Sequence, residues 1–548
     1  MKDIIFYFYG YVVFFYSLGL MVSYVILMWL AELGILRSKH SHLSVYPKYI
    51  MDNSPYTPGV SIIAPAYNEE KTIVNNVNSL LAQEYPIFEV VIVNDGSRDK
   101  TLELLIEHFS LVEVPFAYVE YIHTKPYRRL FKSTRTEYKR LIVVDKENGG
   151  TKADAVNAGL NASSYPYFIN TDVDCILSKD AISRCIMPFL ESEDVIAVSG
   201  VMAASNGCRI EKGQIVELRP PHTPCPLFQT LEYMRSFFIG KMGWSTINAM
   251  PNVSGGYGMF DKNVVMAAGG YSGDSFAEDM DMLIRMVGYC CDFGRKYRVV
   301  QIPANCCWTE VPPTLKVLYR QRVRWGHGLI QTFVRHRRFL FNWKYRQLGM
   351  VTLPYVLIFE CLAPVIEFFG LLTFLYQALT GVVNWKTAVV IFLGLYAFCI
   401  SLSLVVLFYD YSLGGSFRKV KSYLWIIGAA ILEPFLYHPL IVVFSIKGYC
   451  NFLLNKKAVW GEMSRKGFAG SKKKEKSGNR HAEKILPPDQ RPLLCPPDRG
   501  NRGVAFRVLG TVCRILIMYI RLIITNRTCV RCSDESSGRP ANNCWMKV

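Results

Sequence analysis

Charge is absent, or present with one sign only, in two stretches of this 548-residue chain. Ile4 to Ala31 holds no Asp, Glu, Lys or Arg, with Asp3 before it and Glu32 after it. A cleaved signal peptide has an apolar core of about 7–15 residues and a small-residue cleavage site. This stretch is longer and crowded with Tyr and Phe. Few core helices run so far without a charge, whereas roughly 20 apolar residues cross a bilayer. We expect a retained anchor over residues 1–34. Lys2 precedes it, and Arg37, Lys39 and Lys48 follow it. The positive-inside rule then puts the next segment in the cytoplasm. The second stretch, Lys316 to Arg346, has nine basic residues and no acidic one. Two phosphate-binding signatures are also missing. No G-x-x-x-x-G-K-[ST] occurs, and no G-x-G-x-x-G follows the first predicted strand, so a glycine-rich loop does not hold phosphate here. No His follows Cys532, which leaves Cys529 and Cys532 as half of a zinc site.

Half of the residues are hydrophobic (51%) and mean hydropathy is +0.17, which excludes a disordered chain. The net charge of +18 first suggests nucleic acid or an anionic membrane surface. Residues 455–548 carry +13 and residues 316–346 carry +9, leaving −4 for everything else. A slightly acidic body removes the support for a nucleic-acid partner. Both basic regions flank apolar segments, where anionic lipid headgroups attract Lys and Arg.

Those segments are Leu348–Leu379, Thr387–Tyr409 and Tyr423–Ile446. The first contains Pro354, Glu360, Pro364 and Glu367, and the last contains Glu433, Pro434, His438 and Pro439. Carboxylates at membrane depth face protein or a water-filled path; Glu360 and Glu367 could also sit near the interface or hydrogen-bond to neighbours. Three crossings after a cytoplasmic domain would export the basic tail, against the positive-inside rule. The first or the last segment is therefore expected to fold back or lie in the interface. In the tail, residues 470–503 read as a linker. Arg507, Arg514 and Arg521 recur through residues 504–524 as an amphipathic membrane-surface pattern.

Residues 55–315 read as an α/β domain. Val60–Ala64, Val90–Val93, Leu141–Val144 and Tyr167–Ile169 are predicted strands. Ile73, Val77, Leu80 and Leu81 recur at helical spacing, and another helix begins near Thr151. The alternation predicts a mostly parallel sheet with helices on its faces, and ligands bind beyond the carboxyl ends of such strands. Those ends carry Asn68-Glu69-Glu70, Asn94-Asp95-Gly96-Ser97 and Asn170-Thr171-Asp172-Val173-Asp174. Turn chemistry alone can account for any one of them; carboxylates at all three favour a site. Asp172 and Asp174 can aim two carboxylates at one hard cation, and Mg²⁺ typically takes one or two carboxylates plus substrate phosphates.

Five motifs in order resemble the family-2 glycosyltransferases: Asn94-Asp95-Gly96-Ser97, Lys152 to Asn157, Asp172-Val173-Asp174, Glu278-Asp279-Met280-Asp281, and Gln321-Arg322-Val323-Arg324-Trp325. The chain looks most like the membrane-embedded processive branch, which includes poly-N-acetylglucosamine, hyaluronan, chitin and cellulose synthases. The resemblance covers residues 60–465 and implies a GT-A-like (Rossmann-like) nucleotide-diphospho-sugar transferase domain with flanking transmembrane helices. It also implies a plasma-membrane, multi-pass enzyme with its catalytic domain in the cytoplasm.

By that resemblance Asp95 contacts the base of a UDP-sugar, and Lys152, Asp172 and Arg324 complete the donor site. Asp172 and Asp174 hold Mg²⁺ or Mn²⁺. Asp279 is the catalytic base of an inverting transfer. Ser254, Gly255, Glu278, Gln321 and Trp325 line the acceptor site. Simpler readings stand beside these. Lys152 could be an exposed helix start. Glu278, Asp279 and Asp281 could merely favour a helix N-terminus. Residues 316–347 could be an amphipathic interface helix with Trp325 at the headgroups. Many family members have Thr where this chain has Ala277. The leading expectation is polymerisation of a UDP-sugar, N-acetylglucosamine first among the candidates, into an exported polysaccharide, with membrane lipids and accessory export subunits as further partners. Single-sugar transfer to a lipid or short acceptor is the alternative, and a non-catalytic export subunit the third.

Overall fold

The computed structural model describes residues 2–40, 51–115, 119–211, 213–417 and 419–455. The basic tail after residue 455, with its linker, its Arg507 to Arg521 repeat and Cys529 and Cys532, lies outside the described residues.

Ten strands form one sheet in the order β3-β4-β5-β2-β1-β6-β11-β8-β12-β7. In chain order they are β1 Val60–Ala66, β2 Phe88–Asp95, β3 Leu111–Glu113, β4 Tyr127–Ser133, β5 Leu141–Lys146, β6 Tyr167–Thr171, β7 Ile176–Leu177 and β8 Val195–Ala204. β9 Arg209–Glu211 and β10 Gln214–Glu217 form a separate ribbon, and β11 Tyr257–Asp261 and β12 Arg298–Thr309 complete the set. β1, β2 and β5 are buried almost throughout. Such near-continuous Val and Ile runs belong to parallel strands covered by helices on both faces. Helix Lys152–Ala162 lies so close that a Cβ on Gly159 would come within 2.4 Å of Ile63 Cγ2, so only glycine fits there.

The expectation of a mostly parallel sheet holds for β5-β2-β1-β6 and for the β8–β12 pair and needs correction elsewhere. β11 runs antiparallel to β6 on one side and to β8 on the other. The strand–helix alternation that requires parallel crossovers ends at β6, and β11 enters from the opposite end of the sheet. Its first residue, Tyr257, pairs with Thr171, the last of β6. That register lays the Ser254-Gly255-Gly256 approach beside the loop that carries Asp172 and Asp174.

Helix Lys2–His40 precedes the sheet, and three described helical stretches are long and apolar enough to cross a membrane: Gly10–Ser38, Leu348–Leu379 and Trp385–Ser412. A further pair, Val420–Leu436 and His438–Leu453, meets at a 50° bend. The bend falls at Tyr437, between Pro434 and Pro439, whose missing N–H groups break the helical ladder. The break expected in the first or last apolar segment is therefore sharpest in the last. The first keeps its course through π-helical turns at Leu348–Thr352 and Val356–Cys361, either side of Pro354.

Specific contacts join these helices to the sheet domain. Thr246 Oγ1 donates to the Leu30 carbonyl at 3.0 Å. Arg235 pairs with Glu433 at 2.9 Å. Arg322 makes a two-pronged pair with Glu232 at 2.7 Å, and Tyr437 donates to the same carboxylate at 2.7 Å. Of the apolar-segment carboxylates, Glu367 meets His438 at 2.8 Å, so it hydrogen-bonds to a neighbouring helix.

Candidate active site

Asp95 ends β2 and is buried. Its Oδ1 accepts from Lys146 Nζ at 2.8 Å and from the Gly149 N–H at 3.0 Å. Lys146 ends β5, has no solvent exposure, and also meets Asp154 at 2.5 Å. A buried polar head needs partners, and Asp95 and Asp154 supply them. Sequence reasoning missed Lys146. Its signal was the one that singled out Asp95: a charged residue at the carboxyl end of an apolar strand.

Lys152 opens its helix, with Thr151 as the cap whose hydroxyl accepts from the Asp154 N–H at 3.4 Å. The side chain is not exposed. It reaches Asp172 Oδ1 at 2.6 Å and donates to the Gly255 carbonyl at 2.7 Å. Burial works against its charge, but Asp172, and Glu278 after it, outweigh that penalty and raise its pKa. Asp172 follows β6, whose last residue Thr171 donates through Oγ1 to the Gly256 carbonyl at 3.0 Å. Ligating atoms of Asp172, Asp174 and Cys175 all lie within 4.8 Å of one another. Cys175 is a second residue that sequence reasoning missed.

Asp279 sits in the first turn of helix Glu278–Asp292. Its Oδ2 accepts from the Gly255 N–H at 3.2 Å, and its Oδ1 from the Met280 N–H at 2.9 Å. Gly255 thus has its N–H on Asp279 and its carbonyl on Lys152, two residues before the β6–β11 register begins at Tyr257. Glu278 is buried, and its pKa rises through burial first and the Asp279 charge second; Arg324 and Lys152 pull it down. Those opposing charges bring Arg324 of helix Leu315–His336 into the same field. Asp281, fully buried, accepts from Arg285 and His336 at 2.8 Å and from Arg335 at 3.4 Å. It ties the two helices together.

The other residues expected to line the acceptor site are less closely gathered. Ser254 Oγ points to Met202 Sδ at 3.9 Å. Gln321 is buried, and its Oε1 has no hydrogen-bond partner among the described residues. Trp325 is partly exposed, with the Arg322 guanidinium 4.3 Å over its ring. Neither Gln321 nor Trp325 hydrogen-bonds to the carboxylates among the described residues.

Comparisons with known proteins bear on the chain as a whole. The model for "Glycosyl transferase family 2" matches residues 61–255, and that for "Glycosyl transferase family group 2" matches residues 222–408. A poly-beta-1,6-N-acetyl-D-glucosamine synthase of Staphylococcus epidermidis is 29% identical over 307 residues, 56% of this chain and 62% of its own length. The synthase of Staphylococcus aureus strain COL is 27% identical over 317 residues, 58% of this chain and 64% of its own. The chain thus spans a little over three-fifths of these relatives. A mannosyltransferase from Pyrobaculum calidifontis, solved with GDP-Man and Mn²⁺, is 18% identical with a TM-score of 0.44, covering 79% of this chain and 100% of that one. Enzymes of this family generally depend on a divalent metal, and the Asp172, Asp174 and Cys175 cluster has donors close enough for one cation. Two models of glycosyl transferase family 2 thus match overlapping stretches that together run from residue 61 to residue 408.

Proposed function

We propose that the protein is an inverting membrane glycosyltransferase that polymerises UDP-N-acetylglucosamine into an exported or cell-surface polysaccharide. One observation carries this reading. Gly255 holds the proposed base through its N–H and the proposed donor-site lysine through its carbonyl, 3.2 Å and 2.7 Å away. Acceptor and donor chemistry therefore meet at one backbone unit. The choice of sugar is supported by the similarity to poly-N-acetylglucosamine synthases of both staphylococci.

In this reading Asp95 accepts from the uracil of the donor, oriented by Lys146 and Gly149. Asp172 and Asp174 would hold Mg²⁺ or Mn²⁺, which would supply charge neutralisation for the diphosphate leaving group. Arg324 pairs with the diphosphate. Asp279 removes the proton of the acceptor hydroxyl as its oxygen bonds to the anomeric carbon. The bond from that carbon to the diphosphate breaks on the opposite side, UDP departs, and the configuration inverts. Ser254, Gly255, Glu278, Gln321 and Trp325 line the acceptor end, Trp325 as an aromatic platform for a sugar.

Residues 55–315 form the cytoplasmic catalytic domain in this proposal. Residues 1–34 and 348–454 embed it in the plasma membrane, and residues 316–347 lie at the interface. Purified protein given UDP-N-acetylglucosamine and Mg²⁺ should release UDP and form a product of increasing mass. A product one sugar longer than its acceptor would replace polymerisation by single transfer. Absence of UDP release across a panel of UDP-sugars would overturn the enzymatic reading.

A further inference from the structure

We propose that Glu232 and Tyr437 are positioning residues for Trp325: acting through Arg322, they fix its ring as the platform for the growing chain and set how long that chain stays bound. The inference rests on the proposed function, which makes Trp325 an acceptor platform, and adds what holds the platform in place. Arg322 is 5% exposed, while Trp325, three residues further on, is 38% exposed. Residues at that spacing share one helix face, and the Arg322 guanidinium lies 4.3 Å from the centroid of the Trp325 ring. The ring is therefore backed by a buried cation and still reaches solvent. Where the cation sits is decided on other elements. Its two terminal nitrogens donate to the two carboxylate oxygens of Glu232 at 2.7 Å each, and one of them also donates to the Tyr437 hydroxyl at 3.2 Å. That hydroxyl in turn donates to Glu232 Oε2 at 2.7 Å. Glu232 belongs to helix Pro224–Arg235, and Tyr437 to the corner between Val420–Leu436 and His438–Leu453.

The competing account is a plain tie between helices. A buried ion pair is often no more stabilising than apolar packing, so stability alone does not explain the arrangement. The molecule also holds the plain version. Arg235, on the same helix as Glu232, pairs with Glu433 of the same bent pair at 2.9 Å and donates to Ser403 at 3.3 Å. It joins the same elements and does not meet Trp325 among the described residues. Arg322 differs in using both parts of its head. The N–H edge binds carboxylate and hydroxyl, and the flat face meets the ring, a combination that a planar guanidinium allows and an ammonium does not. Tyr437 stands where the helical ladder breaks, so the ring is held from the bent pair as well as from helix Pro224–Arg235. A sugar that stacks on Trp325 then meets a ring already fixed in one orientation, and binding costs less ordering. Freeing the guanidinium frees the ring, so the chain leaves earlier, while Asp95, Asp172 and Asp279 keep their own partners.

The test uses full-length protein in detergent with UDP-N-acetylglucosamine and Mg²⁺, and measures product length beside the rate of UDP release. Binding of a short β-1,6-linked N-acetylglucosamine oligosaccharide is measured separately, without nucleotide. Wild-type protein is compared with Glu232→Gln, Tyr437→Phe, Arg322→Lys and Trp325→Ala, and with Glu433→Gln as the control for losing a buried pair between the same elements. Products should shorten, and oligosaccharide binding should weaken, by about three- to tenfold in Glu232→Gln, Tyr437→Phe and Arg322→Lys. The KM for UDP-sugar should stay unchanged in all three, and Glu433→Gln should keep wild-type length and affinity. Loss of folded enzyme lowers the yield but not the length that each active molecule makes, so length separates positioning from support of the fold. In a Trp325→Ala background, Glu232→Gln should add less than about twofold, because it acts through the ring that is gone. Wild-type length and affinity in Glu232→Gln and Tyr437→Phe overturn the proposal, as does equal shortening in Glu433→Gln. If Glu232→Gln misfolds, Tyr437→Phe carries the comparison, since it loses one oxygen and keeps its ring 5.5 Å from that of Phe228. Polymer of unchanged length in these variants overturns the positioning role and leaves polymerisation standing. Oligosaccharide binding that weakens in Tyr437→Phe, with no polymer from the wild type, upholds the positioning role and overturns polymerisation.

Discussion

The proposed nucleotide side of the site and the proposed acceptor side are built in different ways. On the nucleotide side, Asp95, Lys146 and Asp172 stand at the ends of neighbouring strands, within a few residues of a regular β-ladder. On the acceptor side, Asp279, Arg324 and Gln321 come from two helices whose mutual position depends on distant contacts. Asp281 locks them through Arg285, Arg335 and His336, and Gly326 and Gly448 let helix Leu315–His336 touch helix His438–Leu453 backbone to backbone. Strand ends are placed by the sheet that forms them. Helix ends need partners, so the acceptor side should be the part that mutation and pH loosen first.

The largest expected effect separates the two sides kinetically. Asp279→Asn keeps the Gly255 contact and loses the proton acceptor, so kcat should fall roughly 10²–10⁴-fold with the KM for UDP-sugar little changed. Asp95→Asn should do the opposite, with KM rising about tenfold or more and kcat less affected. Steady-state UDP release measures both. A matching kcat loss in Asp95→Asn would erase the division between donor binding and base chemistry.

Next come the contacts that hold the acceptor side together. Asp281→Ala leaves Arg285 and His336 without their shared carboxylate, and breaking a buried charged pair costs about 3–5 kcal/mol. Burial alone would raise the Asp281 pKa, but His336 and Arg285 outweigh it and hold the carboxyl below its ordinary value. Its contribution is therefore complete above the usual carboxylate range and disappears as pH falls through the depressed value. Thermal unfolding should show the largest gap between wild type and Asp281→Ala near neutrality and a closing gap in acid. A gap independent of pH would remove the ionic explanation. Gly448→Ala is smaller in chemistry but lands on backbone: its Cβ would come within 2.4 Å of the Val323 carbonyl. Overpacking of this kind costs about 1–3 kcal/mol, and UDP release should fall with it while nucleotide binding is retained.

This asymmetry also explains what was legible in the sequence. The strands of the nucleotide side, and helix Lys152–Ala162 with Thr151 as its cap, follow from alternating apolar runs and turn residues. Asp95, Asp172 and Asp174 are visible because each follows such a run. Lys146 was equally visible in position, but lysine at a strand end reads as solvent-facing until Asp95 and Asp154 are known to surround it. The antiparallel insertion of β11 was hidden, because its pairing with β6 joins residues about 90 apart and no local pattern reports direction. The two-pronged Arg322–Glu232 pair spans 90 residues as well. Arg322 read as one more charge on a basic helix, yet it holds that helix to Pro224–Arg235. Cys175 was passed over because a cysteine after D-x-D looks like core, which it also is.

Lys241 gives the smallest effect and the most specific one. It ends the π-helical turn Ser236–Lys241, is buried, and holds its ammonium 4.7 Å over the Phe237 ring. Burial depresses its pKa to about 8, although the Asp279 charge pulls the other way. Below pH 8 the lysine is protonated in both folded and unfolded chains, so stability does not vary with pH on its account. Between about 8 and 10.5 the unfolded chain binds a proton that the folded chain has released, and wild-type stability rises with pH. Lys241→Met has no such slope. It should be more stable than wild type by about 1–2 kcal/mol at pH 7, after allowing for the lost cation–ring contact. The advantage should shrink steadily from pH 8 and vanish near pH 10 in thermal melts. An advantage that grows with pH would mean that Lys241 is stabilised as a cation on the acceptor side, paired with Asp279 more strongly than burial opposes it.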